Sequence, residues 1–313
     1  MGGQTGGERQ LRPFLYYSDA YYADIGAHVF PMLKFRLIKE HLLAGGIVTE
    51  DDFVEPEPAT DEDALLVHDR MYIDKLREGT LSMFEISRME LPYSHELVDA
   101  AFLGAGGTIS AVRSAAERGV GVNVAGGFHH SFPDHGEGFC MLNDVAIGVA
   151  RALADGVVER VGVVDCDVHQ GNGTATIFAH EERVFTFSIH QEFNYPFVKP
   201  PSDLDIGLPD GAVGASYLPR LEQGLEKVLD DFGAQLIMFI AGADSYEGDL
   251  LGGLSLSKSD LEDRDRMVMG ACADRRVPFA VTLAGGYAER TEDTVEIQAD
   301  TIARAIEVGE SWA

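Results

Sequence analysis

Five short, β-rich runs follow one another from residue 120 onward, and helical stretches separate several of them. Each run is apolar along almost its whole length, which is typical of strands that are covered on both faces. Strands that alternate with helices in this way form a parallel sheet flanked by helices, so we predict an α/β fold. The runs are VGVNVA (120–125), RVGVVDCDVH (160–169), RVFTFSIH (183–190), QLIMFIAGAD (235–244) and VPFAVTLAGGY (277–287).

The chain of 313 residues shows no repeat or internal linker, so we assign residues 11–313 to a single α/β domain. Residues 1–10 are polar and glycine-rich, and we expect a disordered tail there rather than a signal peptide. The longest apolar run, LIMFIAGA, is too short to cross a bilayer. Because the three cysteines lack CxxC spacing, we expect a reducing, cytoplasmic setting.

Polar or glycine-rich residues end each of the five runs. In an open parallel sheet the carboxyl ends of the strands meet at one edge, where ligands bind. We therefore predict one active site at that edge rather than five unrelated features. The residues concerned are 126–130, Asp165, Asp167, His169, Ser188, His190, Asp244, Ser245 and 285–287.

Two aspartates and a histidine are spaced two residues apart in VGVVDCDVHQGNG (161–173). Side chains alternate between the faces of a strand, so Asp165, Asp167 and His169 should project to the same side. Buried carboxylates require a positive partner. Asp167, His169 and Asp244 provide three ligands and an open fourth position, as in catalytic zinc sites, although Fe(II) or Mn(II) would also suit them. Asp165 lies deeper and is better placed to hydrogen-bond a histidine.

Adjacent histidines, His129 and His130, follow two glycines that let the backbone turn tightly beside a ligand. Two imidazoles next to a metal suit proton transfer, because histidine titrates near neutral pH. The alternative is a loop with solvent-exposed histidines. Tyr287 could donate a hydrogen bond to an oxyanion, but a tyrosine after two glycines is by itself more typical of packing.

The formal net charge of −28 argues against nucleic acid or an anionic membrane as a direct partner. Such an acidic surface could attract cationic peptides or reflect a high-salt cytoplasm. A well-solvated soluble enzyme is an equally good interpretation. The sequence leaves the oligomeric state open.

Four motifs together resemble those of the zinc-dependent histone deacetylase family, which has the arginase/deacetylase fold. Within them, HQGNG, GDLLGGLSLS and the separate RRVP are most similar to the class IV branch and its bacterial relatives. The likeness extends from about Leu15 to Ala305 and implies that Asp167, His169 and Asp244 bind zinc. The motifs are GGFHHSFPDHGEGFCMLNDVAIG, DCDVHQGNGT, AGADSYEGDLLGGLSLS and LAGGY.

The resemblance also implies catalytic roles. His130, with zinc, would activate a water that attacks the amide carbonyl of an acylated lysine or amine, and would then protonate the leaving amine. His129 would be its electrostatic partner, and Tyr287 would stabilise the oxyanion. Asp165 would lie behind His129 and Asn172 behind His130. Asn172 departs from family members with Asp at this position, which leaves the pH optimum open.

The resemblance also implies which residues bind the substrate and a monovalent cation. The family's acyl tunnel has aromatic walls and a glycine floor, which Gly138, Phe139 and Tyr195 match. For the acid that grips the substrate backbone at the rim, Glu90 is the nearest candidate. The resemblance further implies a structural K⁺ or Na⁺ site, held mostly by backbone carbonyls. Its residues are Asp165, Asp167, His169, Ser188 and Ile189.

Three alternatives remain. A binuclear ureohydrolase of the same fold needs a carboxylate two residues after the metal histidine, where this chain has Gly171. A small-molecule amidohydrolase acting on acetylated polyamines would use the same residues as a lysine deacylase. A scaffold that binds acyl-lysine without hydrolysis would not need Tyr287. The preferred acyl chain, acetyl or longer, is also open.

Overall fold

The computed structural model describes residues 13–312, so the tail predicted over residues 1–10 lies outside the described part. Eight strands form one sheet in which every neighbouring pair is parallel. They are β1 (Phe14–Tyr16), β2 (Phe53–Val54), β3 (Val120–Asn123), β4 (Val161–Asp165), β5 (Val184–Gln191), β6 (Leu204–Leu208), β7 (Leu236–Ile240) and β8 (Phe279–Thr282). Their order across the sheet is β2-β1-β3-β8-β7-β4-β5-β6.

The five predicted runs are the five adjacent strands β3, β8, β7, β4 and β5 in the middle of this sheet. Strands β1, β2 and β6 were not predicted from the sequence. β1 and β2 contain only three and two residues, and most residues of β6 are partly exposed. Strands at the margins of a sheet bury less apolar surface, so they lack the continuous apolar pattern that identifies central strands.

Ten helices accompany the strands in the described residues, and they pack on both faces of the sheet as predicted. Strand β7 shows why the runs are apolar throughout. Ile237 and Phe239 belong to a core cluster with α1, α8, α9 and α10, whereas Met238 and Ile240 pack with α5 and α6 on the other face. The helices are α1 (Lys34–Ala44), α2 (Asp61–Ala64), α3 (Arg70–Glu78), α4 (Met83–Met89), α5 (His95–Arg118), α6 (Asp144–Ala154), α7 (Asn172–Phe178), α8 (Gly214–Glu226), α9 (Lys258–Asp274) and α10 (Thr291–Glu310).

Short irregular helices complete the architecture. Single 3₁₀ turns cover Asp19–Tyr21 and Glu50–Asp52, and a π turn over Lys227–Asp231 continues α8. Across residues 13–312, none of the helices combines the length and the apolar character that a membrane span requires.

Candidate active site

Strand β4 ends earlier than predicted, at Asp165. Asp165 Oδ1 accepts the backbone N–H of Asp167 at 3.1 Å, and Asp167 Oδ1 accepts that of His169 at 3.0 Å. These local bonds turn the backbone away from strand geometry. The prediction placed all three side chains on one face of a strand, and this was wrong because the strand ends at Asp165. The three side chains nevertheless lie close together.

Asp167, His169 and Asp244 form a compact cluster in which one ligand atom from each residue lies within 4.8 Å of the others. His169 Nδ1 is 3.1 Å from Asp167 Oδ1 and 3.3 Å from Asp244 Oδ2. All three residues are buried. The geometry is that of a candidate three-ligand metal centre.

Asp244 shows that this cluster fits a cation. Its Oδ2 is buried and has no hydrogen-bond partner among the described residues, while Oδ1 accepts the N–H of Val168 at 2.9 Å. Burial, together with the nearby Asp167 carboxylate, raises the pKa of Asp244 to about 7. A Cβ at Gly285 would lie 1.9 Å from Asp244 Oδ2, so glycine leaves the space beside the carboxylates free. A bound metal would supply the missing partner.

The two histidines stand beside this cluster, each backed by one hydrogen-bond partner. His129 Nδ1 is 2.7 Å from Asp165 Oδ2, and His130 Nδ1 is 2.7 Å from Asn172 Oδ1. The Nε2 atoms of the two rings are 3.1 Å apart, a distance at which they share one proton. Both rings are buried, so the alternative of a solvent-exposed histidine loop does not hold.

The shared proton belongs to His129. Burial opposes its ionisation, but the Asp165 and Asp167 carboxylates outweigh burial and raise the pKa of His129 to about 9. Burial and the neighbouring His129 hold the pKa of His130 well below its ordinary value. One ring is thus a buried cation and the other a neutral base.

The loop that carries the histidines is held by Asp144, the first residue of α6. Its carboxylate accepts the backbone N–H groups of Gly127 at 3.1 Å and Phe128 at 2.7 Å. Gly127 has φ of 85°, and a Cβ there would lie 2.6 Å from that of Ala284. A glycine is therefore required for this loop to approach the end of β8.

Tyr287 follows β8 and is fixed by Asp249, whose Oδ2 accepts its backbone N–H at 2.6 Å. Its phenol lines the same cavity as the histidines. Beneath the ring, the fully buried Lys34 donates to the Ala284 carbonyl at 2.7 Å. Burial lowers the pKa of Lys34 to about 8, against the opposing effect of the site carboxylates.

A cavity of about 200 Å³ leads to these groups, and its lining includes all three predicted tunnel residues. Gly138 has φ of 53°, and a Cβ there would come within 2.8 Å of the Tyr195 hydroxyl and 2.9 Å of His130 Cδ2. Phe139 packs edge-on against Tyr287. Glu90 also lines this cavity, and its role as a rim acid stays a prediction.

The predicted monovalent-cation residues lie at the same sheet edge. Asp165 pairs with Ser188 across β4 and β5, and Ile189 follows in β5. The Ser188 hydroxyl is 2.9 Å from His190 Nδ1, so His190 packs with the sheet rather than lining the cavity. Cation binding by this group stays a prediction.

Three residues at the site were not identified from the sequence: Lys34, Glu137 and Asp249. Lys34 lies in a helix and Glu137 in a loop, and such charged residues are ordinarily exposed, so neither carried a signal. Asp249 did carry one, because an aspartate shortly before a glycine pair is typical of a side chain that caps a turn. Its Oδ1 accepts the N–H groups of Leu251 and Gly252, both at 2.8 Å.

Several known proteins are similar to this chain over most of its length. An uncharacterised protein of Picosynechococcus sp. is 39% identical over 283 residues, which cover 90% of this chain and 94% of the relative. Histone deacetylase 2 of Arabidopsis thaliana is 29% identical over 287 residues, covering 88% and 74%. Acetoin utilization protein AcuC of Staphylococcus aureus is 27% identical over 256 residues, covering 75% and 66%.

A solved structure shows the same fold. The crystal structure of the HDA15 HD domain matches with a TM-score of 0.76 at 20% identity, covering 95% of this chain and 90% of that one. The family model of the histone deacetylase domain matches residues 28–301. The chain therefore belongs to the histone deacetylase family.

Proposed function

We propose that this protein is a zinc-dependent deacylase that removes acetyl or longer acyl groups from lysine side chains of peptides or proteins. Family membership makes the chain a hydrolase whose reaction class is amide-bond deacetylation. The observation that carries the proposal is one cavity lined by a charged histidine, a neutral histidine, two of the candidate metal ligands and the Tyr287 phenol. Phe139 and Tyr195 both line this cavity, and such aromatic walls suit the aliphatic stem of an acylated lysine side chain.

Asp167, His169 and Asp244 would hold the metal, for which Zn²⁺ is the first choice and Fe(II) the alternative. When bound, such an ion polarises a carbonyl and lowers the pKa of a water. The unpartnered Asp244 Oδ2 and the open space at Gly285 support this assignment.

The chain's own residues would move the protons. His130, kept neutral, would accept the proton of the attacking water at Nε2, in place of the hydrogen bond from His129, and would afterwards donate it to the leaving amine. His129, kept positive by Asp165, stabilises the negative charge that develops beside it. When the water attacks, the carbonyl oxygen of the amide becomes an oxyanion. The Tyr287 hydroxyl would donate a hydrogen bond to that oxygen.

Finer assignments follow the resemblance. We place the chain near the class IV branch and its bacterial relatives, in a cytoplasmic setting, with K⁺ or Na⁺ bound beside Asp165 and Ser188. Three buried, unpaired cysteines are compatible with a reducing compartment. The ureohydrolase alternative is disfavoured, because a Cβ at Gly171 would already lie 2.6 Å from Asp165 Oδ2.

The test compares turnover of acetyl-lysine peptide, long-chain acyl-lysine peptide and acetylputrescine by zinc-loaded protein. Hydrolysis of either peptide supports the proposal, whereas preference for acetylputrescine would assign the chain to the amine amidohydrolases. Tyr287→Phe removes only the phenol oxygen and should lower kcat by about 10²- to 10³-fold, as loss of an oxyanion donor does elsewhere. Unchanged turnover in this variant, or none in the wild type with zinc bound, would contradict the mechanism.

A further inference from the structure

Glu137 lies in the loop that precedes Gly138, and its two carboxylate oxygens face different partners. Oε1 accepts the Asn172 side-chain N–H at 2.7 Å and the Tyr195 hydroxyl at 3.0 Å. Oε2 accepts the Arg88 guanidinium at 2.8 Å. Its side chain is only 15% exposed, so these bonds are shielded from water. Glu137 therefore joins the wall of the cavity to the residue behind His130.

The Glu137 carboxylate is ionised at neutral pH. Burial opposes its ionisation, but the nearby His135, at 3.6 Å, and hydrogen bonds from Asn172, Arg88 and Tyr195 outweigh burial and lower the pKa to about 2. An ionised carboxylate can only accept hydrogen bonds. At neutral pH the group that Asn172 presents to Glu137 must therefore be its NH₂.

The orientation of the Asn172 amide in turn determines which nitrogen of His130 is protonated. With the NH₂ of Asn172 turned to Glu137, its Oδ1 faces His130 Nδ1 at 2.7 Å. Because Oδ1 accepts, Nδ1 must carry the ring proton, which leaves the lone pair of neutral His130 on Nε2. A flipped amide would set two acceptors 2.7 Å apart at Glu137 and would put the ring proton on the wrong nitrogen.

We propose that Glu137 is a positioning residue for deacylation, which orients the Asn172 amide and thereby holds His130 in its base-competent tautomer. The inference rests on the proposed function and adds to it a charged residue outside the histidine pair. The resemblance leads us to expect an aspartate behind His130, where this chain has the neutral Asn172. Here the negative charge is carried by Glu137, which hydrogen-bonds Asn172 and is one residue farther from His130 in the network.

An exchange of the two groups tests this inference. Glu137→Gln allows the amide either orientation and should lower kcat about tenfold with little change in KM, since only part of a general-base effect is lost. Asn172→Asp places two carboxylates in contact and should cost about as much. The double variant Glu137→Gln/Asn172→Asp restores one carboxylate and one amide, and its kcat should return to within about threefold of the wild type.

Losses that multiply in the double variant would overturn the inference, because a merely structural Glu137 would not be rescued by a charge at position 172. Glu182→Gln is the matched control: it makes the same change at an exposed carboxylate outside the cavity lining, and kcat should be unchanged. Side-chain ¹⁵N NMR of His130 reads the tautomer without turnover. Protonation at Nδ1 in the wild type and a mixture in Glu137→Gln are expected, and an unchanged tautomer would contradict the role of Glu137 even if the proposed reaction failed.

Discussion

At the residue scale, His68 can be used to test how burial determines the protonation state of a histidine outside the cavity. Its Nδ1 donates to the Phe132 carbonyl at 2.9 Å, and its Nε2 accepts the N–H of Asn143 at 3.0 Å. The second bond needs a neutral ring, because both nitrogens of a protonated imidazole are donors. Burial lowers the pKa of His68 to about 4 from 6.5. Asn143 in turn donates to the Ser131 carbonyl at 3.1 Å, so this ring supports the loop that carries His129 and His130.

Acid should therefore destabilise the protein partly through His68. Between pH 6.5 and 4 the unfolded chain binds this proton and the folded chain does not, so the stabilisation present above pH 6.5 is lost as the pH falls. The full loss is about 3 kcal/mol. His68→Gln should be less stable at pH 7 yet lose less of its unfolding free energy at pH 4.5 in denaturant titrations. Parallel pH profiles for both proteins would contradict this assignment.

Single residues also show which parts of the site can be predicted from sequence patterns and which cannot. The ligand set of Asp167, His169 and Asp244 was predictable because strand ends converge at one edge of the sheet. Glu137 was not, because its partners Arg88 and Asn172 come from distant parts of the chain. Only the folded backbone shows that this carboxylate faces an amide rather than solvent.

At the element scale, α5 packs so closely on the preceding segment that its glycines have a structural role. A Cβ at Gly106 would lie 1.9 Å from the carbonyl oxygen of Glu57 and 2.8 Å from the nitrogen of Ala59. Because both are backbone atoms, the segment would have to shift as a whole. Helix α5 ends next to β3, which leads into the histidine loop.

We expect Gly106→Ala to lower the free energy of unfolding by about 3 kcal/mol, the upper range for overpacking, despite the higher helix propensity of alanine. Gly270→Ala in α9 is the matched control, since a Cβ there meets nothing within 4 Å. That change should stabilise the protein by about 0.5–1 kcal/mol. Equal effects of the two substitutions in chemical denaturation would contradict the packing argument.

At the scale of the whole molecule, acidic residues outnumber basic ones by 52 to 24, for a net charge of −28. Self-repulsion in such a chain opposes the compact state, and added salt screens it. The melting temperature should therefore rise as NaCl increases from about 0.05 to 0.5 M, where the Debye length falls severalfold. Glu182 and Glu222 are exposed, and a Glu182→Lys/Glu222→Lys variant should show a shallower rise. A flat or falling profile in the wild type would count against charge repulsion.

The amino-acid sequence by itself determined the central part of this protein. Continuously apolar runs identify strands buried on both faces, and the polar residues after them identify the catalytic edge, because both signals are local in the chain. The marginal strands β1, β2 and β6 and the end of β4 at Asp165 were decided by tertiary context. So were the buried Lys34 and the link from Glu137 through Asn172 to His130. These features depend on contacts between segments far apart in the chain, and the physical consequences of burial and charge appear only once those segments meet.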